Sequence, residues 1–323
     1  MISGKREKMN KRSFAVVFIC LVFTFSVLGA VFMVGKGKEL ENDPSSNRKK
    51  VVINYDTAVI SYLGPEGTYT EEACKLFFDN KGSYTPCETV DDAVQELVEG
   101  RSTYAVIPQE NTIGGATIDY IDVLLKTEDV SVVGEVELPI SQNLLTVKGA
   151  KQEDIKTVYS HKQGILQGKD WVEDNLPGAE LVEVSSTAEG ARMVSEGNDP
   201  SCAAIASIGC KDVYGLDVLA EGIQKNDENK TRFYVLSKDD PAKADAGRLA
   251  FVAKGYSYEL PKLMKELYSQ GMKLVAIHDR PEKSKLGKYN YVIECSDSDY
   301  DDYIKVMSKS TFDFRFLGCF DCK

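Results

Sequence analysis

Histidine is nearly missing from this chain: His161 and His278 are the two copies in 323 residues. A zinc centre draws on several His and Cys ligands at close spacing, and the scarcity of one partner argues against such a site. Cys319-Phe320-Asp321-Cys322 has redox or metal spacing but no second ligand pair, so it reads as a tail feature and no metal is expected. A disulfide framework is also lacking. Of eight cysteines, Cys20 sits in an apolar run and the other seven are irregularly spaced, an odd number that leaves at least one unpaired in a monomer. An excess of positive charge is absent too. With 39 Lys+Arg against 50 Asp+Glu the net charge is −11, which argues against nucleic acid, whose binding rests on neutralised phosphates. Small anions are not excluded, because they need only a local positive pocket.

What is present suggests about two domains, and an apolar content of 43% is enough for a sizeable core. The N-terminus departs from this composition. Residues 1–13 form a basic segment holding Lys5, Arg6, Lys8, Lys11 and Arg12, followed by 21 uncharged residues from Phe14 to Val34. A helix of that length spans about 31 Å, enough to cross a bilayer. The run reads as a single-pass anchor with its N-terminus in the cytoplasm and the remaining chain extracytoplasmic. The competing reading is a signal sequence cut near Leu28-Gly29-Ala30, which would release a secreted protein. Residues 35–57, polar and charged, read as a linker.

From Ala58 the pattern alternates. Strands are expected at 58–63, 104–107, 130–138, 142–148, 157–159, 181–184 and 203–206. Helices are expected at 70–80, 90–99, 118–125, 163–175, 187–197 and 207–213. Ser186 with Glu189 three residues on has the pattern of a capping box. The alternation implies an α/β layered domain with a largely parallel sheet. In such sheets ligands sit beyond the carboxyl ends of strands, where helix N-termini favour anions. Polar clusters fall at those places: Glu110-Asn111-Thr112, Ser160-His161, Ser185-Ser186-Thr187 and Ser207. Any one of them could be an ordinary helix cap; four together favour a polar pocket. Asn229-Lys230-Thr231-Arg232-Phe233 puts a hydroxyl and a guanidinium at the mouth of another strand. After residue 240 a break leads to residues 247–323, whose expected order βαββαβ is the ferredoxin-like arrangement.

Five ordered motifs resemble those of the prephenate dehydratase family, from about Ile60 to Phe320. They are Gly64-Pro65-Glu66-Gly67-Thr68, Pro108-Gln109-Glu110-Asn111-Thr112, Ser160-His161-Lys162-Gln163 with Gln167, Ser185-Ser186-Thr187-Ala188-Glu189, and Asn229-Lys230-Thr231-Arg232-Phe233. The C-terminal unit resembles the family's ACT-type regulatory domain, with His278-Asp279-Arg280-Pro281 where Glu-Ser-Arg-Pro is usual. The resemblance implies a catalytic domain at 58–240 with two lobes, like type II periplasmic binding proteins. Lobe one would take 58–128 and 224–240, lobe two 129–223, and the regulatory domain 247–323. It also implies conversion of prephenate to phenylpyruvate, water and carbon dioxide in phenylalanine biosynthesis, without a cofactor, by a homodimer or tetramer.

Within that resemblance Thr231 is the partner of the departing hydroxyl, through a hydrogen bond that strengthens in the transition state. Glu110 and Asn111 are the other catalytic candidates, Glu110 either as an acid of raised pKa or as a positioning carboxylate. Arg232 either binds a substrate carboxylate or forms a structural ion pair. Thr68, Thr112, Ser160, Gln167 and Phe233 complete the substrate-binding candidates, although Phe233 also reads as core. Leu260, Arg280 and Pro281 are the regulatory candidates. Three departures stand out: Thr112 replaces Ser, Lys162 replaces Pro, and Tyr258-Glu259-Leu260 replaces the Gly-Ala-Leu of the effector loop. Tyr258 cannot give the close backbone approach of a glycine, which argues against phenylalanine as effector. Two alternatives stay open: a tethered extracytoplasmic binding or sensory protein that lost catalysis, and an arogenate dehydratase.

Overall fold

A computed structural model describes residues 53–243 and 247–323. The Phe14–Val34 run and the basic segment before it lie outside the described residues, and among the described residues no helix is long and apolar enough to cross a membrane.

The chain enters a first sheet through β1 (Val59–Leu63), α1 (Tyr69–Phe77), β2 (Ser83–Cys87), α2 (Val90–Val98), β3 (Tyr104–Asn111), the short β4 (Gly115–Ala116), α3 (Ile118–Lys126) and β5 (Ser131–Pro139). It crosses to a second sheet built from β6 (Asn143–Thr146), β7 (Thr157–Ser160), α4 (Lys162–Asn175), β8 (Glu180–Glu183), α5 (Thr187–Gly197), β9 (Cys202–Ala206), α6 (Gly209–Tyr214) and β10 (Asp217–Ala220). It returns as β11 (Lys230–Ser237), which lies between β3 and β5 in the order β2-β1-β3-β11-β5. The second sheet has the order β10-β6-β9-β7-β8.

Two expectations are corrected. The sheets are mixed rather than largely parallel: β1 pairs parallel with β2 and β3, whereas β11 is antiparallel to both its neighbours, as β6 is to β9 and β10. The antiparallel strands flank the two crossings, where the chain leaves one sheet and comes back, so βαβ alternation cannot extend through them. The first crossing also falls after Pro139, not near residue 128, because β5 pairs with β11 along its whole length. β2 was not foreseen. Its five residues include Pro86 and are partly or largely exposed, as an edge strand permits.

The third unit comprises β12 (Arg248–Tyr256), α7 (Leu260–Ser269), β13 (Lys273–Pro281), β14 (Lys288–Ser296), α8 (Tyr300–Met307) and β15 (Asp313–Phe320), with a four-stranded antiparallel sheet ordered β13-β14-β12-β15. Successive residues of a strand face opposite ways. Leu249, Phe251 and Ile293 pack with Leu263 and Leu267 of α7, while Ala250, Val252 and Val292 join one core with Tyr120, Leu124, Tyr234 and Leu236 of lobe one. The sheet is therefore buried on both faces, which explains the unbroken apolar run Leu249 to Ala253. After β15 the chain continues along β5: the Glu135 N–H donates to the Asp321 carbonyl at 3.1 Å and the Glu137 N–H to the Lys323 carbonyl at 2.9 Å.

Candidate active site

A cleft of about 240 Å³ opens between the lobes. Lobe one lines it with the start of α1 (Thr68, Tyr69, Thr70), with Asn111 at the end of β3, and with Thr231 and Phe233 of β11. Lobe two supplies the starts of α4 (His161, Gln163, Gln167) and α5 (Ser186, Thr187), and the first crossing supplies Ile140 and Gln142. Among the described residues lining it there is no Asp, Glu, Lys or Arg. The positive potential comes instead from three helix N-termini, which point partly unsatisfied N–H groups at the same space.

Each of these helix starts is set by a local cap. Thr68 Oγ1 accepts from the Glu71 N–H at 3.4 Å, His161 Nδ1 from the Gln163 N–H at 3.3 Å, and Ser186 Oγ from the Glu189 N–H at 3.0 Å. Only half of the expected capping box forms at Ser186, because the Glu189 carboxylate turns to Arg192, one turn along the helix.

Thr231 is held by Asn111, another of the catalytic candidates. Asn111 Oδ1 accepts from the N–H groups of Ile113 at 3.0 Å and Gly114 at 2.9 Å, which fixes the amide so that Nδ2 points at Thr231 Oγ1, 2.9 Å away. A hydroxyl that accepts from Asn111 keeps its own proton for a ligand. Thr231 and Phe233 share one face of β11, while Arg232 and Tyr234 occupy the other. Phe233 is 1% exposed and belongs chiefly to the core.

A family model for prephenate dehydratase matches residues 60–241, the span that builds both lobes and all five motifs. The chain belongs to the prephenate dehydratase family. It is 36% identical over 237 residues to the bifunctional chorismate mutase/prephenate dehydratase of Aquifex aeolicus, covering 73% of this chain and 64% of that protein. It is 31% identical over 270 residues to the prephenate dehydratase of Amycolatopsis methanolica, covering 81% and 88%. The crystal structure of prephenate dehydratase from Arthrobacter aurescens in complex with L-Phe superposes with a TM-score of 0.73 at 28% identity, covering 81% of this chain and 90% of that one. The chain thus spans a little under two thirds of the Aquifex bifunctional relative and most of the other two.

Several candidate residues lie away from the cleft. Glu110 and Arg232 are on the opposite face of the first sheet. Arg232 is paired with Glu110 at 3.2 Å and makes close ion pairs with Glu135 and with Glu294 of β14. Burial alone would lower the pKa of Arg232, but Glu294 and Glu135 overcome it and hold the guanidinium firmly charged. Each of its three nitrogens bonds a protein carboxylate, so the structural ion pair is the geometry observed, and a substrate carboxylate in the cleft lies on the other face of the sheet. Glu110 likewise faces Arg232 and His278 rather than the pocket. Ser160 is fully buried and donates to the Ile205 carbonyl at 2.7 Å. Thr112 Oγ1 makes two bonds to the backbone of Lys230, each 3.1 Å, outside the cleft. Strand alternation could have sorted Arg232 from Thr231, but nothing in the sequence announced that a third unit would cover the far face.

Tyr69 and Gln142 were missed. The trio Ser141-Gln142-Asn143 interrupts an apolar run between Ile140 and Leu144, and that interruption was a readable signal. In the C-terminal unit, Arg280 of β13 makes a two-pronged pair with Asp122 of α3, at 2.6 and 2.7 Å, Pro281 ends β13, and Leu260 begins α7.

Proposed function

We propose that the cleft binds prephenate and carries out its decarboxylating dehydration to phenylpyruvate, a step toward phenylalanine. In that reaction the electron pair of the ring carbon–carboxylate bond enters the ring as carbon dioxide departs. The pair of the ring carbon–oxygen bond leaves with the hydroxyl, which takes up a proton and becomes water. Aromatisation drives both. The protein has to hold a dianion, stabilise charge on the departing oxygen and avoid solvating the ring carboxylate too well. The observation that carries the reading is the Thr231 hydroxyl, which accepts from Asn111 and lines a cleft rimmed by helix N-termini, so that its own proton is left for a ligand. Its hydrogen bond to the leaving oxygen strengthens as negative charge develops there, which is transition-state rather than ground-state binding. Gln167 and the α1 and α5 N-termini are suited to the carboxylates.

The absence of a carboxylate among the described lining residues favours a keto side chain over an amino one, because an ammonium group would find no counter-charge. Prephenate is accordingly preferred to arogenate. Purified residues 50–323 are expected to form phenylpyruvate from prephenate, read by its enol absorbance in alkali, and Thr231→Ala to lose most of that rate while staying folded. Thermal stabilisation by prephenate with no product would instead support a binding or sensory protein.

We also read the C-terminal unit as an ACT-type regulatory domain, on its strand order and its His278-Asp279-Arg280-Pro281 segment. Tyr258 stacks on Tyr256, with ring centroids 5.3 Å apart, and is 76% exposed. A large side chain at that turn argues against a phenylalanine pocket of the usual form. The Phe14–Val34 run supports a membrane-tethered, extracytoplasmic placement. Protease added to intact cells should then remove the large domain, and its full protection would defeat that reading.

A further inference from the structure

The cleft holds a continuous string of side-chain amides that runs from one inter-lobe crossing to the other. The Tyr69 hydroxyl, which donates to the Ser141 carbonyl at 2.7 Å, also lies 3.1 Å from Gln142 Oε1. Gln142 Nε2 donates to Gln167 Oε1 at 3.2 Å, and Asn229 Nδ2 donates to the same oxygen at 3.1 Å. Asn229 Oδ1 accepts from Asn111 Nδ2 at 3.0 Å, and that same nitrogen donates to Thr231 Oγ1. Asn229 is 0% exposed and Gln142 2%.

The directions in this string are not arbitrary. Asn111 is oriented by two backbone N–H groups, so its nitrogen must face Asn229, and Asn229 must answer with its oxygen. That leaves the Asn229 nitrogen for Gln167. Gln167 accepts from Asn229 and Gln142 at one oxygen, which leaves its two N–H donors for the cleft it lines. Gln142 lies at the first crossing and Asn229 at the second, while Gln167 is on lobe two and Asn111 on lobe one.

We propose that Asn229 and Gln142 are positioning residues for the dehydration: they tie the lobes together through Gln167 and, by fixing the sense of each amide, aim the Gln167 donors and the Thr231 hydroxyl at one substrate. Asn229 is fully buried outside the cleft lining and acts through Asn111 and Gln167, whereas Gln142 lines the cleft and acts through Gln167. The inference deepens the dehydratase reading and rests on it.

Asn229→Asp keeps the size of the side chain and the oxygen that accepts from Asn111, but an ionised carboxylate cannot donate to Gln167. A protonated carboxyl can. Relative to wild type, N229D should lose about 10- to 100-fold in kcat/KM at pH 8, the scale expected of a misaimed group. The loss should shrink as pH falls through the titration of the new carboxyl. Thermal melting establishes that the variant is folded. A folded N229D with wild-type kcat/KM, or with a deficit independent of pH, overturns the proposal, since a purely structural role would give no recovery on acidification. If N229D does not fold, Gln142→Glu decides: it retains the oxygen facing Tyr69, loses the donor to Gln167, and should show the same pH-dependent loss. Wild-type-like turnover in Q142E overturns the proposal equally. A wild-type protein that makes no phenylpyruvate is a different result; it defeats the dehydratase reading and this inference with it.

Discussion

Thr231 and Arg232 are adjacent in sequence and 180° apart in role. The pleat of β11 sends the hydroxyl into the cleft and the guanidinium to the opposite side, where three carboxylates receive it. At Thr231, removal of a single hydroxyl aimed at developing charge should cost about 10²–10³ in kcat with a smaller change in KM. Thr231→Ser, which keeps the hydroxyl and the Asn111 bond, should retain most of the rate. If Thr231→Ala and Thr231→Ser behave alike, the hydroxyl is not the operative group. The motif around Thr231 was legible because its spacing to Asn111 and Gln167 is carried in the chain itself. The commitment of Ser160 to the Ile205 carbonyl was not, because it depends on β7 lying beside β9 in a sheet whose order no local pattern encodes.

At the scale of strands, β3, β5, β11, β12 and β14 bring together Glu110, Glu135, Glu137 and Glu294 around Arg232 and Arg248. Four carboxylates share two guanidiniums in a largely buried place, so one of them gains by holding a proton. Burial, reinforced by Glu294, pushes Glu135 from 4.5 up to about 7. Burial likewise lowers the pKa of His278, which bonds through Nδ1 to the Tyr120 hydroxyl and faces Glu110. Between 4.5 and about 7 the folded chain therefore binds a proton at Glu135 that the unfolded chain does not. Stability at this joint is greatest at the acid end of that window and declines as pH rises through about 7. From pH 5 to pH 7.5 the melting temperature of wild type should fall by roughly 2–6 °C more than that of Glu135→Gln, which has no such titration. Equal slopes would mean that Glu135 is ionised throughout. Individual strands here were well anticipated by their apolar runs. Their mixed direction was not, because it is imposed by the two crossings.

For the whole molecule, the boundary expected near residues 240–247 separates segments of sequence but not cores. Tyr120, Leu124, Tyr234 and Leu236 share one buried cluster with Ala250, Val252, Val292 and Leu317. Arg315 of β15 reaches back to cap α3, donating to the Leu124, Thr127 and Glu128 carbonyls. A chain ending at residue 243 would expose those aromatic rings and leave Arg232 without Glu294. It should melt at least about 10 °C lower, or aggregate. Unchanged melting and turnover would show that the third unit is an independent appendage. Sequence periodicity revealed that unit's order of elements; that its sheet is roofed on one face by α7 and α8 and on the other by lobe one became legible only afterwards, in the unbroken apolar run of β12.

Asp321 to Lys323 also set a schedule for folding. β5 is an edge strand until Asp321 to Lys323 pair with it, and Lys323 Nζ then bonds the Phe77 carbonyl at 2.7 Å beneath α1. On a ribosome the chain emerges from its N-terminus, so lobe one has all its other strands while this edge is still bare. A bare edge recruits other strands. Lobe one therefore waits through the synthesis of some 85 further residues after β11 before Asp321 to Lys323 close its edge, and during that interval the edge is open to pairing with other strands.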